Sequence, residues 1–267
     1  MTHHRQHSSV VAGLALARVG HVAQSWHRPL PGLQHSSQQP GQLLAHSHQV
    51  DYRAVFSDDY KRAYEFISRN SDLIIEYSDS LNNDPEIIIP VLFPEAIRYS
   101  IISNFLETKS LELAYVYSGS ADFSIGYFQM KPSFIENLEK TIIRHPGILS
   151  KYDSLIFSDN FSLQDIRRKR IERLKSLEYQ IVYANCMFEV LKIMYPEVFT
   201  YDKAYQIKFI STAFNHGFLA GRKEILEYTT KAFFPFNGKN KTEKYVYNEI
   251  SLYFYHHDLP RIISKNQ

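Results

Sequence analysis

The sequence predicts a mainly α domain with a cleft, either all-helical or helix-dominated α+β. Three observations predict it. Hydrophobic residues make up 44% of the 267 and charged residues 22%, the balance of a packed globular core. Apolar side chains recur near a 3.6-residue period in several long segments. No strand–helix–strand alternation and no internal repeat is visible.

The elements follow in order. From Asp59 to Tyr77, residues Tyr60, Ala63, Tyr64, Ile67, Leu73 and Ile74 mark one helical face. Asn83-Asp84-Pro85-Glu86 is a helix start, with Asp as cap, Pro at the first helical position and Glu in the first turn. The helix it opens runs from Glu86 to about Phe105 and contains Pro90 and Pro94, which predict a bend just before Glu95. Ser118-Gly119-Ser120 marks a loop, and Pro132-Ser133 opens a helix through Ile143, closed by His145-Pro146-Gly147. Leu163 to Tyr195 reads as the longest helix, stopped by Pro196, and Lys203 to Phe218 as a further one. A Gly/Asn/Lys loop over Phe233 to Lys244 precedes a last helix from about Lys244 to Tyr255.

The first 50 residues have a different composition. They hold eight of the twelve histidines and the single Trp, and no Lys, Asp or Glu. They are expected to be a disordered leader; a short apolar run, Val10 to Ala17, also fits an export signal, and a transit peptide or a mis-set translation start are further readings. The folded domain is therefore placed at 51–267. Beyond the leader the chain carries 27 basic and 28 acidic residues, too even a balance for a nucleic-acid partner. The basic run Arg167-Arg168-Lys169-Arg170, with Arg173, alternates with apolar residues and reads as the solvated face of a helix; attraction to an anionic glycan is the alternative. No apolar run reaches 18 residues, so no membrane-spanning helix is expected. Cys186 stands alone in an apolar stretch as a buried free thiol, and no Cys/His spacing suits zinc, so neither metal nor cofactor is implied. Tyr and Phe dominate an aromatic content of 14%, which suits stacking on sugar rings and equally fits a biased codon composition.

Three short segments carry the chemistry. An apolar run ends in Phe93-Pro94-Glu95, Gly126-Tyr127-Phe128-Gln129 follows with Pro132 behind it, and Ala213-Phe214-Asn215-His216-Gly217 comes later. In this order they resemble the lysozyme-like superfamily, especially soluble lytic transglycosylases and goose-type lysozymes, over roughly Ile87 to Tyr255. The resemblance implies a lysozyme-like helical fold with a substrate cleft. It implies cleavage of the β-1,4 bond between N-acetylmuramic acid and N-acetylglucosamine in peptidoglycan, without a cofactor, in the periplasm or cell envelope. Glu95 would be the general acid/base, and Ser124, Tyr127, Gln129 and Asn215 would bind substrate. Two positions depart from the pattern: Phe214 replaces the family tyrosine and loses its hydroxyl, and His216 replaces a small residue.

A single carboxyl suffices for such a reaction. The acid must hold a proton near neutral pH, and apolar surroundings raise a glutamate's pKa by disfavouring the anion. Val91-Leu92-Phe93-Pro94 would supply that wall. Glu107 and Glu112 compete for the role: they lie 19 and 14 residues before Gly126, nearer the family spacing than the 31 of Glu95, but read as an exposed, ion-pairing helix face. Asp122, just before the turn, could serve as the second carboxylate of a hydrolase. His216 reads as an exposed helix-end residue and His256-His257-Asp258 as a polar helix end. The competing readings are an inactive lysozyme-like module that binds glycan or a partner, and a helical scaffold with chance motifs, which requires Gly126–Gln129 and Asn215 to lie far apart. The sequence leaves the oligomeric state open.

Overall fold

In a computed structural model, which describes residues 50–102, 108–235 and 243–265, the chain is mainly helical. The twelve α-helices there are α1 (Tyr52–Phe56), α2 (Asp58–Ser80), α3 (Pro85–Ile102), α4 (Thr108–Ser118), α5 (Pro132–Arg144), α6 (Pro146–Tyr152), α7 (Leu163–Lys175), α8 (Leu177–Met194), α9 (Lys203–His216), α10 (Arg222–Tyr228), α11 (Tyr247–His257) and α12 (Leu259–Ile263). Strands β1 (Ala232–Phe234) and β2 (Tyr245–Val246) form one short antiparallel pair. The expected leader, up to residue 49, and Glu107 lie outside the described residues. No helix among the described residues is long and apolar enough to cross a membrane.

Helix α3 is the centre of the molecule. Every residue from Ile87 to Ile97 is buried, as befits a helix apolar on all sides. It packs against α2, α9 and α11. Asp84 caps it as expected, its Oδ1 accepting the Glu86 amide hydrogen at 2.9 Å. The helix continues through Pro90 and Pro94 without the expected interruption. The Tyr247 hydroxyl of α11 donates to the Val91 carbonyl at 3.3 Å, tying α11 to this helix.

The two ends of the described body are joined. Asp51 caps α1 and also accepts from the Tyr253 hydroxyl at 2.6 Å. Asp258, read from sequence as part of a polar helix end, is instead buried: it accepts from the Tyr60 hydroxyl at 2.5 Å and pairs with Arg53 at 2.7 Å. Beneath these contacts Phe93 of α3 stacks on Phe254 of α11, ring centroids 3.9 Å apart.

The expected long helix from Leu163 to Tyr195 is two. Its apolar period runs on through Ser176, but Ser176 adopts an extended conformation and its Oγ accepts the Tyr179 amide hydrogen, starting α8. The basic run on α7 is mostly held by the protein rather than solvated. Arg170 is buried and forks onto Glu139 of α5 at 3.1 and 2.6 Å, with Glu136 at 3.1 Å and the Tyr115 hydroxyl also within reach. Arg173 donates to the Leu155 and Ser154 carbonyls and lies over the Phe157 ring. Arg168 remains exposed, with an ion pair to Asp165.

Burial raises the pKa of Glu139, and Arg170 opposes the shift. Truncating Arg170 would leave the buried Glu139 carboxyl without its ion-pair partner. Arg170→Ala is therefore expected to cost about 3–5 kcal/mol in urea unfolding, while Arg170→Met combined with Glu139→Gln should recover most of that loss. Equal losses in the single and double variants would show that the ion pair is not what ties α7 to α5.

Candidate functional site

Residues Ile125 to Met130 form a tight hairpin. Ile125 and Met130 exchange backbone hydrogen bonds at 2.9 and 3.1 Å, and the Gln129 amide donates to the Gly126 carbonyl at 3.2 Å. Gly126 (φ +73°) and Gln129 (φ +47°) lie in the left-handed region, which reverses the chain in four residues.

The break at Ser176 fixes this hairpin from behind. Gln180, fully buried on α8, accepts the Phe128 amide hydrogen at 2.8 Å through Oε1. Its Nε2 donates to the Leu174 carbonyl, at the end of α7. A Cβ on residue 126 would stand 1.6 Å from Gln180 Nε2 and 2.6 Å from the Leu174 oxygen. Glycine is required there on two grounds, backbone sign and space.

The hairpin's Gln129 joins Glu95 of α3 and Asn215 of α9 in the lining of a cavity of about 570 Å³. Gln129 of the turn and Asn215 thus line one cavity. Phe134, Phe214 and Phe218 contribute apolar lining; Asp122, Lys131, His216 and Glu224 line it with charged or titratable groups. Gln129 is buried, its Nε2 donating to the Gly126 carbonyl at 2.7 Å while Oε1 has no hydrogen-bond partner among the described residues.

Glu95 is 3% exposed. Its Oε1 pairs with Arg98 Nη1 at 2.9 Å, and Arg98 Nη2 donates to Asn215 Oδ1 at 3.2 Å. Glu95 Oε2 and Arg98 Nε are buried without hydrogen-bond partners among the described residues. Burial raises the Glu95 pKa; Arg98, the Tyr247 hydroxyl and Lys131 all favour the anion but do not cancel that shift. Tyr247, itself fully buried, has its own pKa pushed well up by burial and by the Glu95 charge.

The other named residues fall elsewhere. Ser124 and Tyr127 do not line this cavity. Tyr127, at the hairpin tip, stacks on Phe66 at 4.2 Å and leans on Tyr99 at 4.8 Å. Glu112 sits on α4 and pairs with Lys175 at 2.8 Å, away from the cavity lining. Asp122 lines the cavity but is engaged: its carboxylate accepts the Ser133 amide and hydroxyl hydrogens at 3.1 and 2.9 Å, tying down the start of α5. His216 is half-buried rather than exposed, with Glu224 at 2.7 Å and the Tyr228 ring stacked on it at 3.5 Å.

Sequence reasoning missed Arg98 and Tyr247. An acid and a base three apart on one helix was a readable signal for Arg98. Nothing in the local sequence distinguishes Tyr247 from its aromatic neighbours. Among the described residues no group of three or more His, Cys, Asp or Glu side chains could hold a metal ion. Comparison with protein-family models, curated proteins and solved structures gives no match to this chain.

Two measurements test the site's construction. Gly126→Ala forces a side chain into the left-handed region and against Gln180, and is expected to cost on the order of 2–4 kcal/mol by chemical denaturation. Glu95→Gln tests the carboxyl. Its folded pKa lies above the unfolded value, so wild type is most stable below the ordinary carboxylate range and loses stability as pH rises, until the folded carboxyl itself ionises. The melting temperature of Glu95→Gln relative to wild type should therefore climb as pH is raised from about 4. A difference that stays flat with pH would exclude a raised carboxyl.

Proposed function

We propose that this protein cleaves peptidoglycan glycan strands at the β-1,4 bond after N-acetylmuramic acid, with Glu95 as the general acid/base. The observation that carries the reading is the position of Glu95, a carboxyl buried in an apolar helix yet part of the lining of a cavity that also holds Gln129 and Asn215. Desolvation favours the protonated form of such a group, the form a general acid needs.

In this reading Glu95 protonates the leaving oxygen as the bond breaks. The resulting carboxylate then takes the proton of the sugar's own 6-hydroxyl, closing a 1,6-anhydro ring. Asp122, the other carboxylate considered for a hydrolytic route, is occupied by Ser133, which supports the single-glutamate route. Gln129 and Asn215 would meet the amide groups of the sugars, and Phe134 and Phe214 their apolar faces. The proposed place of action is the periplasm or cell envelope.

A second reading has its own support. Arg98 pairs directly with Glu95 and opposes its protonation, as would suit a module that binds glycan without cleaving it.

The test is digestion of purified peptidoglycan by the full chain, with mass analysis of the products. Anhydro-muropeptides are expected, falling by at least about 10²-fold in Glu95→Gln. Reducing-end products would redirect the reading to a muramidase. Activity surviving Glu95→Gln would remove Glu95 from the chemistry, and strand binding with no products would select the binding module.

A further inference from the structure

Arg98 is a poor fit to an acid that must be protonated to work. The guanidinium is largely buried, and its charge is met in the protein by the Glu95 carboxylate at 2.9 Å. Its other contacts, Asn215 Oδ1 at 3.2 Å and the Phe234 ring 5.1 Å from Cζ, carry no countercharge, and Nε has no hydrogen-bond partner among the described residues. The remaining carboxylates that line the cavity are engaged: Asp122 with Ser133 and, at 3.8 Å, Lys131; Glu224 with His216. When Glu95 carries its proton, Arg98 is therefore a buried cation without a counter-ion, which is costly in a low-dielectric site. Ligand chemistry can remove that cost. A guanidinium can bind a carboxylate in forked geometry, and both Arg98 and Lys131 line the cavity.

We propose that Arg98 exchanges Glu95 for a carboxylate on the bound glycan, so that the cavity selects carboxylate-bearing sugars and Glu95 takes up its proton as the ligand docks. This rests on the glycan-cleaving reading above. The proton comes from solvent and ends on the Glu95 carboxyl; no bond to carbon is made or broken in the exchange. The charged and titratable groups that act on Glu95 are Arg98 on its own helix, Tyr247 on α11 and Lys131 ahead of α5. Asp122, His216 and Glu224 line the same cavity. Of these, Arg98 alone makes an ion pair with Glu95. Turning it toward a ligand anion withdraws that stabilisation of the Glu95 carboxylate, and the ligand's own negative charge raises its proton affinity further. Arg98 is thus a positioning and specificity residue rather than a catalytic one.

The experiment is calorimetric binding of N-acetylmuramic acid and of its neutral methyl ester at pH 7, in two buffers of different ionisation enthalpy. Wild type should bind the acid at least about tenfold more tightly than the ester, the equivalent of one charge-assisted contact. Binding of the acid should take up a measurable fraction of one proton, and binding of the ester none. Arg98→Gln should lose both the preference and the uptake. Glu95→Gln, with Arg98 freed, should keep the preference and lose the uptake. Equal affinity of wild type for acid and ester, binding of neither, or uptake that survives in Arg98→Gln would each overturn the proposal. The comparison of acid with ester in wild type needs no variant to fold. Proton-linked binding without any digestion of peptidoglycan would discard the cleavage reading and leave this one standing.

Discussion

A carboxyl at the centre of an apolar helix is the constraint on which the rest of this molecule turns. Helix α3 buries eleven consecutive residues, Ile87 to Ile97, and Glu95 is the one among them that ionises. An isolated carboxylate in such surroundings is far less stable than in water. The fold answers with an arginine one turn further along the helix, a tyrosine from α11 and one open side onto a cavity. Each answer recruits a different part of the chain. α9 supplies the asparagine that holds the arginine, the hairpin after α4 supplies Gln129, and α11 covers the remaining face.

Two kinds of force hold these parts in register, and they are spatially separated. Apolar packing, with Phe93 on Phe254 as its densest stack, positions α3 against α11. Buried polar clamps position the elements around it: Arg170 ties α7 to α5, and Gln180 ties the Gly126 hairpin to the junction of α7 and α8. Such clamps contribute geometry more than net stability, because their desolvation offsets much of their attraction. The site is shaped by residues that never reach its surface.

The sequence made the helical class legible because period and caps agree. Asp84-Pro85-Glu86 announced α3, and Pro132 announced α5, each within a residue or so of the helix observed. Glu95, Gln129 and Asn215 were legible as a set through their order along the chain, and they line one cavity. The break at Ser176 was not legible, because the apolar period continues through it and only a backbone dihedral marks it. The prolines of α3 misled for a related reason: local propensity favours an interruption, and the helix is assigned unbroken from Pro85 to Ile102. Tyr127 and Ser124 were assigned to the binding surface through the resemblance of the turn, but successive side chains of a hairpin leave it in different directions. Arg170 of α7 looked solvated because charge is visible in sequence and its partners, more than thirty residues away on α5, are not.

The joining of the first and last elements has a consequence for how the protein is made. Tyr60, Arg53 and Phe93 meet Asp258 and Phe254 across about 160 to 205 residues of intervening sequence, and Glu95 lacks the Tyr247 hydroxyl until α11 arrives. Contacts of such range form only after the chain between them has been ordered. On a ribosome, α3 would emerge long before its cover, with its apolar surface seeking partners. The acid of the cavity thus acquires its finished environment only once translation has delivered α11, so that the protein is assembled around Glu95 last rather than first.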